Sequence, residues 1–104
     1  MIENNETIPE SNDSIDRLIH EPARLKIILY LYVVESADFV YLLRQTGLTK
    51  GNLSAHLQKL EHNGYVEITK EFLNRIPRTL ISLTERGKTA FEEYRVVIKE
   101  MLNY

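Results

Sequence analysis

The sequence contains no cysteine, which excludes disulfides and thiolate metal sites and accords with a reducing compartment. No stretch approaches the ~18 consecutive apolar residues that a bilayer span needs. No lysine or arginine precedes Arg17, so the first residues lack the basic region of a signal peptide. The three histidines, His20, His56 and His62, have no metal-ligand spacing, the last two lying about 120° apart on a helix. There is no glycine-rich phosphate loop, and the adjacent Glu92 and Glu93 point to different helix faces. Together these absences leave no catalytic constellation, no metal site and no cofactor to expect. They describe a small cytoplasmic domain that is neither an enzyme nor a membrane protein.

What remains is 104 residues, 43% of them apolar, enough for one domain with a single modest core. The net charge of −2 hides a polarisation. Residues 1–40 carry three basic and eight acidic side chains, whereas 41–83 carry six basic (Arg44, Lys50, Lys59, Lys70, Arg75, Arg78) and three acidic. The remainder is balanced. A basic middle in an acidic chain points to an anionic partner for that segment, although a local excess on a solvated face is the plainer alternative.

Residues 1–13 are polar and acidic and read as a flexible tail. Within the domain proper, 14–104, Ser14 is placed to cap a short helix bearing Ile15, Leu18 and Ile19, which Pro22 ends. Pro22 then opens a helix over 22–34, with Leu25, Ile28, Leu29, Tyr32 and Val33 as its apolar stripe. Residues 35–38 break the pattern, and Phe39 to Thr46 form a third helix stopped by Gly47. Thr49 caps a fourth, about 49–63, with Leu53, Leu57 and Leu60 on one edge and Gly64 after its end. The link QTGLT gives this pair the spacing of a helix-turn-helix.

Beyond Gly64 the period changes to two. Val66 and Ile68 point inward, LNRIP turns the chain, and RTLISLT returns, giving a β-hairpin over about 65–83 with Asn74, Arg75 and Arg78 at its tip. Thr84 caps a last helix, about 85–103, with Ala90, Phe91, Tyr94, Val97, Ile98, Met101 and Leu102 on one broad face. The expected fold is therefore mainly α with a small β-hairpin, a winged helix-turn-helix.

The runs IHEPARLKIILYL, GNLSAHLQKLEHNGYVEITKEF and PRTLISLTERGKTAFEEY resemble small archaeal and bacterial winged-helix transcriptional regulators related to the MarR and ArsR groups. The resemblance covers about residues 15–104. It implies a homodimer that binds pseudo-palindromic double-stranded DNA and regulates transcription. It also implies that Ser54 and His56 face DNA, as their counterparts do in ArsR-type recognition helices. The cysteine-based metal sensing of some ArsR-type relatives is excluded by composition.

On a helical wheel with Leu53 at zero, Leu57 and Leu60 fall at about 40° and 340°. Gly51, Asn52, Ala55, Gln58, Lys59 and His62 then face outward, a polar and slim surface suited to a major groove. Thr49 and Lys50 lead this face, and Asn52 is shaped to pair with adenine. Lys70, Asn74, Arg75 and Arg78 of the wing suit a minor groove or flanking phosphates, and Arg44 a phosphate. Three alternatives stay open: Gly51 relieving crowding, His56 packing half-buried, and a charged wing tip guarding against aggregation. Ile15, Leu18, Ile19, Phe91, Tyr94, Val97, Ile98, Met101 and Leu102 form the expected dimer interface, unless the last helix folds back onto its own core. Tyr30, Tyr32 and Tyr41 are candidates to line a pocket for a small-molecule effector, against the plainer reading as core. The rival function is a protein-interaction module that uses the fourth helix as a docking ridge.

Overall fold

A computed structural model describes residues 15–103; the acidic segment 1–13 and the expected cap Ser14 lie outside them. Helix α1, Pro22–Val34, starts with Pro22 in its first turn and the Glu21 carboxylate accepting the Arg24 amide at 2.8 Å. Its fully buried residues are Ile27, Ile28 and Leu31, while Leu29 and Val33, expected in the core, are exposed. The helix is apolar nearly all round, so periodicity alone does not say which face turns inward.

Glu35 reverses the chain at φ 70, and Ser36–Asp38 form a strand, β1, where only a break was expected. The strand is too short to show alternation and exists by pairing, Ala37 opposite Ile81. Asp38 then caps α2, Phe39–Thr46, by accepting the Tyr41 amide at 2.7 Å, and Gly47 at φ 70 closes it. Thr46, buried at the turn, donates to the Leu42 carbonyl at 2.7 Å and accepts the Leu48 amide at 3.3 Å. Its hydroxyl thus supports the link to helix α3, Lys50–His62, whose Leu53, Leu57 and Leu60 are buried.

Helix α3 stops by the pattern expected of a left-handed terminal glycine. The Tyr65 amide donates to Leu60 and the Gly64 amide to Glu61, both at 2.9 Å, with Gly64 at φ 81. Strands β2, Val66–Leu73, and β3, Ile76–Leu83, then pair antiparallel, and the sheet order is β1-β3-β2. The turn is two residues, Asn74 and Arg75, both at positive φ. It is tighter than the five-residue LNRIP expected, so Leu73 belongs to β2 and Ile76 and Pro77 to β3.

Thr84 caps the last helix, α4, Glu85–Leu102, accepting the Gly87 amide at 2.9 Å while donating to the Gly64 carbonyl at 2.6 Å. Gly87 is buried where α4 crosses the start of the wing, and a Cβ there would run into the Tyr65 carbonyl oxygen. Among the described residues no helix is long and apolar enough to cross a membrane.

The expected helix over Ile15 to Ile19 is a single turn. The Asp16 carboxylate accepts the Leu18 and Ile19 amides at 2.9 and 3.1 Å, a local bond that competes with helix formation, and Pro22 leaves no room to extend. Asp16 also accepts from the Tyr65 hydroxyl at 2.5 Å, and His20 Nδ1 lies 2.9 Å from the Tyr94 hydroxyl. These bonds fasten the segment across the end of α3 and the body of α4. Burial, then the hydrogen bond to Asp16 and that carboxylate's charge, push the Tyr65 phenol up to about 12.

Gly87→Ala should cost about 1–3 kcal/mol, as overpacking does, read as a lowered denaturant midpoint with unchanged slope. Because the Tyr65 phenol is raised in the fold, its stabilising contribution is complete below about 10 and lost as pH rises through about 12. Tyr65→Phe should remove a late ionisation from the tyrosinate absorbance titration and lower stability by about 1–2 kcal/mol.

Candidate nucleic-acid interface

Helix α3 is held by its leucine edge, so its opposite face is fixed outward. Lys50, Gly51, Asn52, Ser54, Ala55 and Lys59 are all exposed. Thr49, also exposed, holds the first turn by accepting the Asn52 amide at 3.1 Å. A Cβ built on Gly51 meets nothing within 4 Å. The glycine therefore relieves no crowding against α2, and the packing alternative for it falls. What it does leave is a slim leading turn, with first-turn amides that a helix does not itself satisfy and the positive end of the helix dipole.

His56 takes the half-buried place that the packing alternative describes. Its Nδ1 lies 3.2 Å from the Arg24 guanidinium of α1, on the flank of α3 that adjoins that helix. Arg24 itself was not anticipated. Its Nε donates to the Leu18 carbonyl at 2.7 Å, so one guanidinium links the N-terminal turn, α1 and α3. No periodicity marks it, and its role depends on a contact across 32 positions. Lys26 likewise reaches the Thr46 carbonyl at 3.3 Å and braces the turn before α3. Arg44 is exposed in the last turn of α2.

In the wing, Lys70, Asn74 and Arg75 are exposed. Arg78 is not at the tip. Its Nε donates to Glu71 at 2.6 Å, and its Nη1 lies 4.0 Å from Asp38. The tight two-residue turn places it opposite Glu71 in the ladder, where its charge is spent within the sheet. Arg86, similarly, donates to the Asn63 carbonyl at 3.0 Å and lies over the Tyr65 ring.

The residues assigned to a dimer interface divide. Ile19, Phe91 and Tyr94 are buried in the chain's own core, with Phe91 against Tyr32 at 4.8 Å between centroids, so they present no surface to a partner. The first half of α4 folds back onto the chain's own core. Ile15, Leu18, Val97 and Ile98 are half-buried, and Met101 and Leu102 are exposed, along with Val96. The tyrosines named for an effector are packed: Tyr30 stands edge-on to Tyr41, and the Tyr32 hydroxyl donates to Glu92 at 2.9 Å.

Residues 23–102 match the model of a family described as winged helix DNA-binding domain. An uncharacterized protein of Methanocaldococcus jannaschii is 38% identical over 78 residues, covering 75% of this chain and 85% of that protein. A transcriptional regulator homologue from Pyrococcus horikoshii OT3 superposes with a TM-score of 0.84 at 28% identity, over 94% of this chain and 95% of that one. A mutant of MarR from E. coli, solved with operator DNA, shares the fold at a TM-score of 0.70 and 22% identity, over 94% and 75% of the two chains. The polar outward face of α3, the hairpin beside it and these likenesses converge: the chain belongs to the winged helix DNA-binding domain family.

Proposed function

We propose that the chain is a sequence-specific, double-stranded DNA-binding transcriptional regulator acting as a cytoplasmic homodimer on a pseudo-palindromic operator. The observation that carries this reading is the open leading turn of α3, where the Cβ position of Gly51 faces empty space. A docking ridge for a protein would expose apolar groups there, whereas Lys50, Asn52, Ser54, Ala55 and Lys59 offer hydrogen bonds, charge and clearance. A helix with its side chains is about 10–12 Å across, and the major groove is about 12 Å wide. Asn52 reads a base edge and Lys50 and Lys59 reach guanine or phosphate. Thr49 and Arg44 contact backbone, and Asn74, Arg75 and Lys70 extend the footprint through the wing.

The homodimer is supported by the far half of α4, where Val96 is 54% and Leu102 80% exposed. A two-fold partner covering that face, with Ile15, Leu18, Val97, Ile98 and Met101 at its margin, would set two α3 helices roughly 34 Å apart, one DNA turn. An effector held by Tyr30, Tyr32 and Tyr41 would have to displace the packing described above.

Fluorescence anisotropy with a labelled duplex from the region upstream of the chain's own gene tests the reading. Affinity should fall by about 10³–10⁵ between 50 and 200 mM salt if some 6–10 phosphates are neutralised. Salt-insensitive or undetectable binding would contradict it. Gly51 separates clearance from folding: Gly51→Ala should raise stability by about 0.4–1 kcal/mol, because the helix gains a better former in open space. Gly51→Leu should stay folded and lose at least about tenfold in affinity. Retained affinity in that variant would remove α3's first turn from the groove.

A further inference from the structure

The distal end of the hairpin is apolar on both faces. Phe72 is 75% exposed, Ile76 66% and Leu73 52%, and Pro77 is exposed beside them. The register sets Phe72 opposite Pro77 and Leu73 opposite Ile76. Side chains alternate along a strand, so the two pairs lie on opposite faces of the ribbon, with Asn74 and Arg75 at the apex. Edges that only need protection from aggregation are blunted with charge or short strands. Four apolar side chains gathered round one exposed turn point instead to contact with something.

Two further observations indicate what. Arg75 is held at φ 70, in the left-handed region where a residue with a Cβ is disfavoured and where such hairpins ordinarily hold glycine. Strain kept at an exposed position, away from the core, points to a use for that side chain. The local charge is also arranged for an anion. Glu71, the nearest carboxylate along the strand, is neutralised by Arg78 at 2.6 Å. Lys70 and Arg75 make no ion pair among the described residues.

Resting on the DNA-binding reading above, we propose that the wing tip is a wedge that opens the minor groove and bends the duplex. Arg75 enters the groove, and Phe72, Leu73 and Ile76 press on the deoxyribose walls and the exposed base edges. Two paired strands are about 4.8 Å apart before their side chains are counted, and the undistorted minor groove is about 6 Å wide. A ribbon with apolar groups on both faces therefore enters only by widening it, as apolar wedges do in minor-groove proteins. Pyrimidine–purine steps yield most easily to such opening, whereas A-tracts are stiff and narrow and attract a lone arginine. The wing thus confers a preference for TA and CA/TG steps at positions that α3 never touches.

The test is selection from a random-sequence duplex pool by the full chain and by Phe72→Ser and Ile76→Ser variants, followed by energy transfer across end-labelled selected duplexes. Both side chains are exposed, so the variants keep the fold, which circular dichroism checks. The wild type should enrich TA or CA/TG steps flanking a core motif and bend the duplex by about 20–90°. The variants should retain the core motif, lose the flanking steps and bend less. Flanks enriched in A-tracts, or flanking steps and bending unchanged in the variants, would overturn the wedge and leave the DNA reading standing. No enrichment of any core motif would overturn the DNA reading and the wedge with it.

Discussion

The peptide between Gly64 and Tyr65 is where α3, the hairpin and α4 are joined. Its neighbours end α3, with the Tyr65 amide returning to Leu60, and begin β2. The Tyr65 carbonyl accepts the Thr84 amide at 3.1 Å, the Gly64 carbonyl accepts the Thr84 hydroxyl at 2.6 Å, and that same hydroxyl caps α4. Gly87 lets α4 pass against the Tyr65 carbonyl because it has no Cβ to place there. The Tyr65 ring then reaches out to Asp16 and fastens the N-terminal turn. Helix α3, the hairpin, α4 and the N-terminal segment therefore take their mutual angles from one short stretch of backbone, and small errors there would be magnified along each element.

The two helical glycines answer to different constraints. Gly87 is required by packing and could not be anything else without moving α4. Gly51 is required by nothing within the fold and weakens the helix that carries it. A glycine that packing does not require, at the leading edge of an exposed polar face, is what the proposed close approach of α3 to DNA accounts for. Arg75 at the wing apex is a comparable case, a backbone conformation retained in spite of its side chain.

Punctuation residues carried most of the readable fold. Pro22, Gly47, Thr49, Gly64 and Thr84 each act locally, so the boundaries of four helices could be read from single positions and short spacings. The leucine edge of α3 was equally plain, being narrow and set against polar neighbours. What could not be read depended on partners distant in sequence. β1 exists only through β3, the buried side of the all-round apolar α1 depends on what packs there, and His56 turns toward Arg24. Arg78 was misplaced for a related reason: an Asn-Arg turn at positive φ lacks the glycine that would have marked a two-residue hairpin. Ile19, Phe91 and Tyr94 could serve a partner or their own core equally well by pattern, and packing decided for the core.

The central claim is that α3 enters the major groove, once in each half of a two-fold site. Dimethyl sulfate protection on a bound duplex addresses it directly, because guanine N7 lies in the major groove and adenine N3 in the minor. Two patches of protected guanine N7 about ten base pairs apart are expected. Tight binding that protects adenine N3 alone, or no N7 at all, would contradict the account.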